Sequence, residues 1–129
     1  MVLNKFKWGL LWSLFILFVC LLPGNNLPES SFLADIYFDK LIHGFLYCVL
    51  FIIVLIGLKG LIKSPFLISF IYCTLYGILI EVIQHFLIKD RLGEVNDIYA
   101  NLVGVFIGII IATFKKNNET NEPIDNLSL

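Results

Sequence analysis

This sequence has little charge. Only 15% of its 129 residues are Asp, Glu, Lys or Arg, where a soluble domain carries about a quarter. Hydrophobic residues make up 59% of the chain and the mean hydropathy is +0.91. That balance excludes an ordinary soluble domain and points to an integral membrane protein, with room for one domain and no separate soluble one. No basic stretch is long enough for a nucleic-acid site, so no nucleic-acid partner is expected. Cysteine is scarce. Cys20, Cys48 and Cys73 all lie in apolar runs and none forms a C-x-x-C pair. They read as reduced packing residues, not as a disulfide framework or a metal site.

What is present is four apolar segments. The first covers about residues 6–22 and stops at the turn cluster Pro23-Gly24-Asn25-Asn26. The second covers 41–58. The third covers 65–88, with Ser64 as N-cap and Pro65 at the first helical position. The fourth covers 98–114, with Asn96 or Asp97 as its N-cap. At 1.5 Å per residue such segments reach roughly 25–36 Å, enough for a hydrocarbon core of about 30 Å. The expected fold class is all-α, an integral membrane four-helix bundle over residues 1–114, followed by a polar, disordered tail over 115–129. Lys5 and Lys7 before an apolar core also fit a signal peptide, but Leu21-Leu22-Pro23-Gly24 offers no small-x-small cleavage site, which favours a retained helix.

Lysine and arginine set the orientation. Lys5, Lys7, Lys59, Lys63, Lys115 and Lys116 fall on one side, and Lys40, Lys89 and Arg91 on the other. Both termini are therefore expected in the cytoplasm. The loop 23–38, with Glu29 and Asp35 and no base, is expected outside.

On this topology three helices bring polar side chains to one depth near the outer face. Asp39 and His43 are four residues apart, as are Asp97 and Asn101, and Glu81 precedes Gln84 and His85 by three and four. Residues so spaced share a helix face, so one pocket between helices 2, 3 and 4 is the simplest arrangement. Ionisable groups at membrane depth are costly and by default mark function or a buried partner. Glu81, set among Leu79, Ile80, Val82 and Ile83, is the deepest carboxylate. Beside an imidazole it could act as acid or base, and Arg91 could grip a phosphate or carboxylate.

Blander readings stand beside these. Asp39 and Asp97 could simply cap helices. Asn101 and Gln84 could be hydrogen-bonding glue between helices. His43, Glu81, His85 and Asp97 have acceptable ligand types for zinc, but no spacing specifies a site, so no metal and no cofactor is expected. Gly104 and Gly108 form a small-x-x-x-small stripe continuous with Asn101, read as packing within the bundle. A transporter is disfavoured, because no inverted repeat and no midplane charge is evident.

The ordered set Asp39-Lys40-x-x-His43, Tyr47, Glu81-x-x-Gln84, Arg91 and Asp97-x-x-x-Asn101-x-x-Gly104-x-x-x-Gly108 resembles the VanZ-like family of bacterial membrane proteins. His85 is outside that pattern, and the loop 89–95 lacks the Pro-Gly-Arg form often found in the family. The resemblance implies a bacterial cytoplasmic-membrane protein of the cell envelope. The family is named for a protein linked to resistance to teicoplanin-type glycopeptides, which act at the outer face of that membrane. Asp39, His43, Glu81, Gln84, Arg91, Asp97 and Asn101 are then the expected ligand-binding residues. The expected partners are membrane lipids, a lipid-linked wall precursor or a glycopeptide. Three readings remain open: a non-enzymatic binding protein, a small membrane enzyme using Glu81 and His43 as acid and base, and a purely structural polar network. The sequence leaves the oligomeric state open.

Overall fold

The computed structural model describes residues 3–21, 32–87 and 95–120. They form four helices: α1 (Leu3–Leu21), α2 (Phe32–Leu58), α3 (Pro65–Leu87) and α4 (Val95–Thr120). There is no strand among the described residues. The turn cluster 23–26, the loop with Arg91 and the tail beyond Thr120 lie outside them.

The expected helix bounds need two corrections. α2 begins at Phe32, well before residue 41. No glycine or proline interrupts residues 32–43, so isolated acids at 35 and 39 do not stop the helix. α4 starts at Val95 and continues through Lys115 and Lys116 to Thr120, where a disordered tail was expected from residue 115. No glycine or proline falls between Gly108 and Pro123, so nothing in the sequence stops the helix at residue 114. α3 starts at Pro65 as expected, and the Ser64 carbonyl accepts from the Ile68 amide. α2 ends in a turn at Gly60, whose φ of +81° is open to glycine at no cost.

Residues 38–58, 65–87 and 95–118 are each long and apolar enough to cross a membrane, and 6–21 is a shorter apolar helix. Side chains such as Phe18, Leu41, Phe45, Leu75, Phe86 and Phe114 are exposed around the bundle, as expected for surfaces that meet lipid rather than water. The chain is an integral membrane protein.

Lipid tails are as apolar as leucine, so burial alone does not assemble such helices; close packing and interhelical hydrogen bonds do. α2 is the hub, packing on all three other helices. It contributes Tyr47, Leu50, Phe51 and Leu55 to the core, joined by Ile16, Cys73, Ile80 and Val105. α1 is tied in by polar contacts. Trp12 Nε1 donates to the Leu46 carbonyl (3.0 Å), Ser13 Oγ pairs with the Tyr72 hydroxyl (2.8 Å), and the Tyr76 hydroxyl donates to the Ser13 carbonyl. The three cysteines are free thiols, with Cys20 and Cys73 buried.

α2 and α4 run parallel. Gly104 lies against Gly44, and Gly108 against Cys48 and Phe51. A Cβ on Gly104 would fall on the Gly44 carbonyl, 2.8 Å from its carbon, and one on Gly108 would lie 3.0 Å from the Cys48 oxygen. The glycine stripe thus packs within the bundle, and its consequence is functional: backbones this close bring the polar ends of α2 and α4 within side-chain reach.

Candidate functional site

Asp39 and His43 stand one turn apart on α2, and Asp97 and Asn101 one turn apart on α4, all at the same end of the seam. His43, Asp97 and Asn101 are buried, at 3%, 5% and 3% exposure. His43 Nδ1 lies 3.1 Å from Asn101 Oδ1. An amide oxygen only accepts, so Nδ1 carries the proton and donates. The other ring nitrogen, Nε2, faces Asp39 Oδ1 across 4.0 Å, beyond hydrogen-bond range. Lys40 Nζ sits on Asp97 Oδ1 at 2.5 Å. Four of the expected residues are therefore brought together, and Lys40 joins them.

Capping does not explain Asp39, which lies two turns inside α2; Asp97, inside the first turn of α4 rather than at its N-cap, fits the helix-dipole reading and also holds Lys40.

α3 meets this seam at Gly77, where a Cβ would lie 3.2 Å from Asn101 Nδ2 and 3.3 Å from the Tyr47 ring. Glu81 is one turn further along α3, which runs antiparallel to α2, and is 5% exposed. Helix register sets it level with His43, itself one turn before Tyr47. The Tyr47 hydroxyl and Asn101 Nδ2 are buried and have no hydrogen-bond partner among the described residues. Buried polar atoms are normally satisfied, so these two reserve hydrogen-bonding capacity beside Glu81.

Two expected residues go elsewhere. Gln84 is buried at the contact with α1, its Nε2 donating to the Cys20 carbonyl at 2.8 Å. His85 is exposed, its ring edge-on to Phe86. The set His43, Glu81, His85 and Asp97 is therefore not assembled as one ligand sphere. Arg91 lies outside the described residues.

The outer side of the same seam is an apolar groove of about 790 Å³. Phe45, Cys48, Val103 and Ile107 line its length; Lys40, Asn96 and Tyr99 stand toward its polar end. Lys40 belongs to both features: it lines the groove and its ammonium reaches Asp97. Such snorkelling is typical of lysine near a membrane interface. The sequence reading counted Lys40 toward orientation and within the family motif, but not among the ligand-binding residues. Its position four residues before Gly44 was the available signal, because that spacing puts it on the face that meets α4.

A model of the VanZ/LLP1 family matches residues 7–116, which covers α2 and α3 and most of α1 and α4. The chain belongs to the VanZ/LLP1 family. No curated protein and no solved structure gives a significant match. Within this VanZ/LLP1 protein, the motif residues that converge do so because α2 and α4 are parallel and in glycine contact.

Proposed function

We propose that this VanZ/LLP1 protein binds a membrane lipid or lipid-linked wall precursor at the outer face of the bacterial cytoplasmic membrane. The polar group is held by Asp39, Lys40, His43, Asp97 and Asn101, and one hydrocarbon chain lies between α2 and α4. The observation that carries this reading is the continuity of a buried polar cluster with an apolar groove through one residue, Lys40. A groove open to lipid along its length and polar at one end suits an amphiphile better than a water-soluble ligand. The lysine distribution supports the outward orientation, with both termini in the cytoplasm. A protein that holds such a lipid would lower the action of teicoplanin-type antibiotics at that surface.

The test is native mass spectrometry of the purified protein with its co-purified lipids, beside the teicoplanin inhibitory concentration of a susceptible host expressing it. Retention of a defined lipid by wild type, lost in Asp97→Asn, supports the reading. Absence of any retained lipid overturns it.

A second reading follows from Glu81. A buried carboxyl group level with His43 is placed for acid–base work on a headgroup. Turnover of a phospholipid or lipid-linked headgroup that is abolished in Glu81→Gln would favour this enzyme; retained binding without turnover favours the first reading.

A further inference from the structure

We propose that Asp39, His43 and Asp97 form a binding site for a divalent transition ion of the zinc type, and that Lys40 is the counter-cation which the ion displaces from Asp97. The proposal stands on ligand geometry and does not require a lipid in the groove.

One ligand atom from each of the three residues can be chosen so that all lie within 4.8 Å of one another. Ligand atoms about 2.0–2.2 Å from a zinc-type ion can stand at most roughly 4.4 Å apart. The 4.0 Å between His43 Nε2 and Asp39 Oδ1 is too long for a hydrogen bond but fits two ligands on one ion. Side-chain shifts of less than about 1 Å would bring the third atom into range.

The histidine supplies the independent observation. Its side chain is 4% exposed, and its Nδ1 proton is fixed on the Asn101 amide oxygen. A metal-binding imidazole is commonly held this way, donating its other nitrogen to an oxygen. Nε2 is then the ring nitrogen left facing the Asp39 carboxylate.

Charge favours the exchange. A divalent ion replacing the Lys40 ammonium beside the Asp39 and Asp97 carboxylates raises the positive charge there by one. Low surrounding dielectric magnifies that difference. Lys40 is 23% exposed and its long stem lets it withdraw to the interface, while Asp39, at 33%, leaves an entry path. One nitrogen and two carboxylate oxygens suit zinc, cobalt or manganese better than copper or a thiophilic ion.

The experiment uses the full-length protein in nanodiscs, stripped with a chelator and titrated with Co²⁺, whose visible absorption reports ligand number, with Zn²⁺ as competitor. One equivalent is expected, displaced by Zn²⁺. His43→Gln and Asp39→Asn should each weaken it by at least about tenfold, and Lys40→Met should tighten it by about tenfold. Because Lys40→Met moves affinity upward, a loss of fold cannot imitate that result. Absence of the cobalt spectrum in both wild type and Lys40→Met overturns the proposal. So does a spectrum that survives His43→Gln and Asp39→Asn. Lipid retention measured on the same samples reports separately on the lipid-binding reading.

Discussion

Gly104 has no room for a side chain because the backbone of Gly44 occupies the place where its Cβ would stand. The reverse is not true: a Cβ on Gly44 would meet only the Ala100 carbonyl, at an ordinary 3.5 Å. The two glycines form one contact but carry unequal constraints. Gly104→Ala should lower thermal stability in detergent by about 1–3 kcal/mol or more through overpacking, whereas Gly44→Ala should stay close to wild type. Thermal unfolding of the two variants side by side checks this, and equal losses would show that the helices can slide apart.

Lys40 and Asp97 supply the polar cross-link at the end of that seam. Their side chains are 23% and 7% exposed, so the pair is mostly shielded from water. Lys40→Met would strand the Asp97 carboxylate, and Asp97→Asn would take one charged partner from the ammonium. A double-mutant cycle with Lys40→Met and Asp97→Asn should give a coupling energy of about 0.5–3 kcal/mol. A value near zero would mean that the two groups do not share one interaction in the membrane.

These contacts show what the sequence made legible. The gathering of Asp39, His43, Asp97 and Asn101 follows from i,i+4 spacing on two helices whose polar ends face the same way, and spacing is visible in sequence. The apparent cap at Asp39 was misleading because the unbroken apolar run starts only at Leu41, while the helix, which needs no apolar residues to continue, starts at Phe32. Lys40 was hidden because a lysine near a membrane interface is ordinary until its partner is known. Gln84 was grouped with Glu81 because the two share a stripe on α3; its partner is a backbone carbonyl of α1, which leaves no signature in side-chain pattern.

Gln84 therefore separates packing from binding. Removing its hydrogen bond to Cys20 with Gln84→Met should cost about 0.6 kcal/mol and at most roughly 1.7, the range measured for interhelical bonds in a membrane protein. Lipid retention should be unchanged, because the bond lies at the α1–α3 contact. If Gln84→Met abolished retention at full stability, the ligand would have to reach across α3 toward α1.

The α2–α4 groove offers the most direct separation of binding from folding. Val103 is 57% exposed and Ile107 46%, and both line the groove. Since they already face lipid, a larger apolar side chain there displaces hydrocarbon from hydrocarbon and costs little stability. Val103→Trp should nevertheless fill the space that a bound chain would use. The protein should be found in the membrane at wild-type level, melt within a few degrees of wild type, and lose its co-purified lipid. A substitution of equal bulk on the far side of the bundle, Leu75→Trp, serves as control, because Leu75 is exposed and stands on α3 away from the groove lining. Loss of lipid from both variants would point to a general effect of bulk on the lipid shell, and loss from neither would show that the groove is not where a chain is held.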